Sequence, residues 1–465
     1  MQDTYDVIVL GAGSTGTNVA WYARDNGLSV AVVEQERVGG ECSYWACMPS
    51  KALLVPTHAV AAARRLPGAA QAVTGQLDVA EVLARRDSFI SHLDDSSQVQ
   101  WLDGIGADLV RGRARLAGER RVTVTAGDGS SRELTARRAV VVATGSRASV
   151  PPVDGLADVG AWDNRDVTTA TQLPRRLLVL GGGVVGVEMA QAYRRLGVEE
   201  VTVVEAGDRL LGTYEPWVGE VLADVLADEG ISVLTGRRAD SARRSAEDGP
   251  VTLELDDGTR LEGDELLVAA GRTSNTDDLG LETVGLAGGG PLEVDDQLRV
   301  TGVEGDWLYA AGDVNGRALL THQGKYHGRL VGDLIAGRQR SAWADHKAVP
   351  QVVFTDPEIA AVGLTEQQAR DAGVDVKVVS YGTGSVAGGA LVAADSRGKA
   401  QLVLDQQRRV VVGATFVGPQ VGEMLHAATI AVVGEVPVDV LWHAVPAFPT
   451  VSEVWLRLLE ADRGL

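Results

Sequence analysis

Cys42 and Cys47 are the only cysteines in 465 residues, and they stand five positions apart. Two cysteines cannot form the scaffold of a chain this long, but two in one short window can carry thiol–disulfide chemistry. On an ideal α-helix, residues i and i+5 have Cα atoms roughly 8 to 9 Å apart, beyond the ~7 Å reach of a disulfide. Pairing would therefore require an irregular backbone at 42–47. A bond at such a distorted helix start is easily reduced, which suits a catalytic disulfide better than a structural one. The alternative is two buried free thiols packed as small apolar groups.

A second chemistry is written in glycine. Gly11-Ala-Gly13-Ser-Thr-Gly16 follows the apolar strand Tyr5 to Leu10 and opens a helix running to Asp25. A second strand, Leu28 to Glu34, ends 18 residues after Gly16 on an acid. In that setting glycines let the backbone approach a pyrophosphate, the helix N-terminus offers it unpaired N–H groups, and Glu34 accepts from ribose hydroxyls. The same grammar recurs 170 positions later, with Gly181, Gly183 and Gly186 between a strand (177–180) and a helix ending at Leu196, and Glu205 closing the next strand (201–205). Glu205 repels a 2′-phosphate and so favours NADH over NADPH, although Arg209, four residues on, could serve NADPH if its loop folds back.

The surrounding chain must position these groups. Its length of 465 residues implies about three domains by the usual ~150 residues each. Hydrophobic residues at 45% and charged residues at 23% are globular values, which exclude a disordered chain. The sum of 43 basic and 63 acidic residues, −20, disfavours nucleic acid and anionic membrane surfaces as partners. No apolar run reaches spanning length and no basic leader precedes the first strand, so the expectation is a soluble, cytoplasmic protein. No metal-ligand set stands out. Residues 346–465 lack a glycine fingerprint and read as alternating strands (351–354, 374–380, 400–404, 410–416) before two late helices, a separate α+β unit.

The run Gly39-Gly-Glu-Cys42-Ser-Tyr-Trp-Ala-Cys47-Met-Pro-Ser-Lys51 and both glycine motifs together resemble the class I pyridine nucleotide-disulfide oxidoreductases, the family of lipoamide dehydrogenase, glutathione reductase and mercuric reductase. The similarity covers essentially the whole chain. It implies an α/β fold of two Rossmann-like dinucleotide-binding domains, glutathione reductase-like, plus a C-terminal α+β dimerisation domain. The implied order is 1–150 for the first part of the FAD domain, 151–271 for NAD(P), 272–345 for the central or second FAD part, and 346–465 for dimerisation. It further implies a redox-active Cys42–Cys47 disulfide, with Cys47 facing the flavin and Cys42 facing a small-molecule electron acceptor. FAD would be held by Gly11, Gly13, Gly16, Glu34, Ala114, Thr144, Gly145 and Asp313, with Gly271-Arg272 near the nicotinamide. Lys51 and Glu188 would sit beside the flavin N5, and the enzyme would be a homodimer.

One position departs from that pattern. Disulfide-reducing members carry a C-terminal His-Pro-x3-Glu, whose histidine is the general acid/base, and the aligned run here is Phe448-Pro-Thr-Val-Ser-Glu453. Phenylalanine cannot exchange a proton, a loss of about 10²–10⁴ in rate for reactions that need one. His443, five residues upstream, could substitute only with a shifted backbone, and Glu453 keeps a reduced role. Trp45 puts bulk between the cysteines, either shaping an altered pocket or simply packing. A quinone, dye or metal-ion acceptor is therefore the alternative to a disulfide.

Overall fold

The computed structural model describes residues 3–246, 249–393 and 397–465; Met1 and Gln2, part of the stretch read as lacking a basic leader, lie outside them. The chain gathers into two compact units. One comprises Met1–Pro49, Asp87–Ser149 and Arg272–Asp345, the other Ser50–Arg86, Val150–Gly271 and His346–Leu465. Residues 50–86, counted above with the first domain, belong to the second unit. The reason is packing: Leu53 is buried with Val82 and Leu196, and Leu54 with Val167 and Val187.

In the first unit, β1 (Thr4–Leu10) lies between β2 (Val30–Glu34) and the long strand Ser131–Val142, parallel to both. Asp108–Arg111 and Leu308–Ala310 extend the parallel sheet at its two sides, and Arg113–Leu116 and Arg121–Thr125 add an antiparallel ribbon to complete seven strands. Both sheet faces are covered, which is why the strands read as unbroken Val/Ile/Leu runs. Val7, Val9, Val32 and Val141 pack on one side with residues of α1 (Ser14–Asp25) and the helix Thr321–Ile335. Ile8, Leu10, Val140 and Val142 pack on the other with Val122 and Trp307.

The second unit repeats the plan. A four-stranded parallel sheet runs in the order Ile231–Thr235, Glu200–Glu205, Arg176–Leu180, Glu265–Val268, with the helix Val184–Leu196 following the third of these. A separate antiparallel sheet of five strands, Gln351–Val353, Glu358–Gly363, Val410–Gly418, Lys399–Asp405 and Val376–Gly382, is covered by Val421–Val433 and Val454–Arg463. Four of its strands are legible in the sequence. Glu358–Gly363, its second strand in spatial order, is not, because its Ile-Ala-Ala-Val centre follows a proline and carries little β-branched weight. Among the described residues, no helix is long and apolar enough to cross a membrane.

Candidate active site

The first glycine turn is closed by its own backbone. Gly11 N–H donates to Val33 O at 2.8 Å, with φ +102°. A Cβ at Gly16 would lie 1.9 Å from the Gly11 carbonyl oxygen, so helix and strand touch where only glycine fits. Gly13, the N-cap of α1, faces open space, leaving room beside the free amides of the helix start. The Glu34 carboxylate accepts from the Ala12 and Glu36 amides, each at 2.7 Å, and burial pushes its pKa up despite these donors. A pyrophosphate cradle with an acid beside it fits the ADP half of FAD.

The second turn, in the second unit, has the same construction. Gly181 N–H donates to Val204 O at 2.8 Å, with φ +113°. A Cβ at Gly186 would lie 2.0 Å from Gly181 O, and Gly183 again faces open space. Glu205 accepts from the Gly182 and Gly207 amides, each at 2.6 Å. Arg209 pairs with Asp208 and donates to Gly212 O at 3.0 Å, so its guanidinium is engaged locally.

The redox loop shows the irregularity that its spacing demands. Helix α2 (Gly40–Tyr44) stops at Trp45, with φ −135° and ψ 3°, and α3 (Cys47–Arg65) starts afresh at Cys47. Both cysteines are half-buried thiols not bridged to each other, and Cys42 hydrogen-bonds to Cys47. That bond, burial and the charge of Cys47 push the Cys42 thiol far above its ordinary pKa. The Cys47 sulfur lies 3.3 Å from the Thr321 hydroxyl, on the first residue of the helix Thr321–Ile335. Trp45 packs inward: it is buried with Ile90 and edge-on to Tyr44, ring centroids 5.6 Å apart.

Within the first unit, two short strands cross after the sheets, Ser146–Ala148 pairing with Arg272–Ser274. Thr144 donates to Asn275 O at 2.7 Å, and Asn275 N–H bonds Gly145 O at 3.0 Å. Arg272 donates to the Ser146 hydroxyl at 2.7 Å, which donates in turn to the Asp313 carboxylate at 2.6 Å. Ala114 lies in the antiparallel ribbon opposite Val124, against the apolar cluster on that side of the sheet. Gly271 ends the last second-unit segment before this crossing, at φ +125°.

In the second unit, Lys51 Nζ pairs with Glu188 at 2.7 Å, and Glu188 also accepts from the Phe354 amide at 2.9 Å. Glu188 is almost fully buried, so an unpaired charge there would be costly; Lys51 also lies over the Phe354 ring. At the C-terminus, Phe448 is 76% exposed and His443 is exposed nearby. The Glu453 carboxylate is taken by Arg457 at 2.7 Å and the Ala387 amide at 3.3 Å. Among the described residues, no cluster of three or more His, Cys, Asp or Glu could hold a metal. Sequence reasoning missed Ser146, Thr321 and His327. Ser146 follows Thr144-Gly145 directly and was open to reading; Thr321 and His327 carry no spacing signal and depend on tertiary packing.

Two nucleotide folds, each with its glycine cradle, and one dithiol loop define a nucleotide-linked thiol oxidoreductase. Residues 5–328 match the family profile of the pyridine nucleotide-disulphide oxidoreductases and residues 349–458 that family's dimerisation domain, and the chain belongs to this family. Members are FAD-dependent and use NAD(P)H. A mercuric reductase of Streptomyces lividans is 34% identical over 94% of this chain and 93% of its own. A dihydrolipoyl dehydrogenase of Thermus scotoductus is 34% identical over 98% and 97%. The copper(II) complex of RclA, an HOCl-induced flavoprotein disulfide reductase of Escherichia coli, superimposes with a TM-score of 0.86 at 26% identity, covering 99% of this chain and 100% of that one.

Proposed function

We propose that this chain works as a homodimeric NADH oxidoreductase in the cytoplasm, delivering reducing equivalents through Cys42–Cys47 to a disulfide or other small electrophile that needs little proton donation. The reading rests above all on the helix break at Trp45, which lets Cys42 and Cys47 hydrogen-bond although their spacing forbids it on a regular helix. In it, residues 1–150 and 272–345 serve FAD, 151–271 the nicotinamide nucleotide and 346–465 the partner subunit. The chemistry that FAD supplies when bound is two-electron transfer between nicotinamide and the cysteine pair. Gly11, Gly13, Gly16, Glu34, Ala114, Thr144, Gly145 and Asp313 would hold it. Glu205 disfavours a 2′-phosphate, and the local bonds of Arg209 support NADH over NADPH. Lys51 and Glu188 hold a charge pair on α3 and the helix Val184–Leu196 for the nicotinamide side, with Gly181, Gly183, Gly186 and Gly271 lining that nucleotide. The Thr321 hydroxyl lies within hydrogen-bond reach of the Cys47 sulfur, where as a donor it would favour a thiolate; the Cys42 thiol is pushed up, stays protonated at neutral pH and attacks an acceptor once ionised.

Phe448 favours a second reading, in which a quinone, dye or metal ion takes electrons directly and the dithiol is secondary. Cys42→Ser separates the two. In a stopped-flow panel with NADH, the first reading expects loss of disulfide and electrophile reduction; undiminished turnover of every acceptor overturns it. Complete loss of all activities, quinones included, overturns the second.

A further inference from the structure

The Gly312–Asn315 turn, which presents Asp313, is held from behind by a buried polar network that the redox mechanism does not use. His327 is fully buried, and its Nδ1 accepts the Gly312 amide at 3.1 Å. That bond needs a lone pair on Nδ1, so the ring proton sits on Nε2, where it donates to Asp345 at 2.9 Å. Asp345 also accepts from Gln323 at 2.5 Å and from Arg317 at 3.3 Å, and Arg317 reaches on to Val294 O at 2.9 Å. Burial pushes the Asp345 carboxyl up, but the hydrogen bonds from His327, Gln323 and Arg317 outweigh it and hold the group below its ordinary range. Gln323 and His327 stand four residues apart on one face of the helix Thr321–Ile335, so one carboxylate grips that helix and the Arg317 segment together.

A largely buried network of this kind is favourable only when every member is satisfied, and an apolar side chain at 327 would leave both the Gly312 amide and Asp345 short of a partner. The same helix opens on Thr321, 3.3 Å from the Cys47 sulfur, and the same turn offers Asp313 to the Ser146 hydroxyl. His327 therefore stands between the turn assigned to FAD and the residue that touches the redox thiol.

We propose that His327 is a positioning residue that sets the Asp313 turn for FAD and the Thr321 hydroxyl for Cys47, with Asp345 fixing its tautomer. The first half rests on the reading that Asp313 holds the flavin; the second does not.

The test compares His327→Leu with His327→Gln in the full-length protein, since glutamine can accept from Gly312 and donate to Asp345. Three quantities are read: the FAD dissociation constant, the long-wavelength thiolate-to-flavin absorbance at saturating FAD, and the rate at which iodoacetamide alkylates Cys47 in flavin-free dithiol protein. His327→Leu should bind FAD about tenfold or more weakly, the scale of one lost buried hydrogen bond, with a diminished absorbance band and a Cys47 alkylation rate changed several-fold. His327→Gln should recover most of each loss. A leucine variant that matches wild type in all three readouts overturns the proposal, as does a glutamine variant as impaired as leucine at equal melting temperature. If His327→Leu does not fold, Asp345→Asn carries the test: it should weaken FAD binding and alter Cys47 alkylation in the same direction, and no change overturns the proposal. A wild-type protein that refuses FAD would sink the functional reading instead, while Cys47 alkylation in wild type and variants still decides whether His327 sets Thr321.

Discussion

The two glycine turns are near copies of each other, and their differences lie in what surrounds them. Gly11 and Gly181 share a left-handed backbone and the same bond to the neighbouring strand. Glu34 and Glu205 each take two backbone amides, one on each oxygen. Yet α1 is pressed against the helix Thr321–Ile335, where Gly324, Gly328 and Gly332 leave no room for a Cβ beside Thr15, Asn18 and Tyr22. Among the described residues the helix after the second turn meets no such glycine stripe, and it carries Glu188 and Gln191, which bind Lys51 and Asp356. One nucleotide grammar thus serves two ends: at the first turn the extra glycines pack a helix that reaches Cys47, and at the second the helix carries charge. The C-terminal run Phe448-Pro-Thr-Val-Ser-Glu453, where the resemblance would have a histidine in place of Phe448, has no duplicate to compare with.

The sharpest way to break this pairing is to give each turn a methyl group it cannot hold. Gly16→Ala drives a Cβ into Gly11 O and Gly186→Ala into Gly181 O, an overpacking of about 1–3 kcal/mol that must be relieved by moving the turn. Gly16→Ala should purify without flavin. Gly186→Ala should stay yellow but show no flavin bleaching with NADH. Flavin absorbance before and after NADH reads both, and the reverse pattern would overturn the assignment of the two turns.

The contrast with the output side is sharpened by pH. Because its hydrogen bond to Cys47 and its burial push the Cys42 thiol up, Cys42 is protonated at neutral pH and only its thiolate attacks. Reduction of a disulfide acceptor should therefore climb with pH by up to about tenfold per unit, with none of the inflection near 6.5 that a histidine base imposes. Initial rates from pH 6 to 9 test this, and an inflection near 6.5 that vanishes in His443→Ala would contradict it.

Much of this was legible because the determinants are local. A strand, a glycine turn and a helix are encoded within thirty residues, so both turns, and the acid that closes the strand after each, could be read from the sequence. The cysteine spacing called for an irregular backbone if the two were to meet, and the helix does break at Trp45. What escaped is set by packing at long range. Residues 50–86 leave the first unit because Leu53 and Leu54 find cores elsewhere, and Glu358–Gly363 is a strand because Val410–Gly418 pairs with it. Trp45 lines a cluster with Ile90, a contact across 45 positions that no local pattern announces. His327 and Thr321 matter only once the helix bearing them is laid beside the Asp313 turn and the dithiol loop.

The smallest effect separates nucleotide recognition from turn geometry. Gly13 and Gly183 have ordinary negative φ, −66° and −77°, and a Cβ on either meets nothing within 4 Å. Neither glycine is therefore needed by the fold, and Gly13→Ala or Gly183→Ala should leave the ligand-free protein unchanged or more stable by about 0.4–1 kcal/mol, through the stiffer unfolded chain. The methyl does occupy the space beside the helix amides where a pyrophosphate must approach, so FAD affinity should fall for Gly13→Ala and NADH affinity for Gly183→Ala, each without loss at the other turn. Thermal unfolding of the flavin-free protein together with separate FAD and NADH titrations reads both terms. Destabilised variants with unchanged affinities would mean that these glycines serve the turn alone, and the likeness of the two regions would then be one of fold and not of ligand.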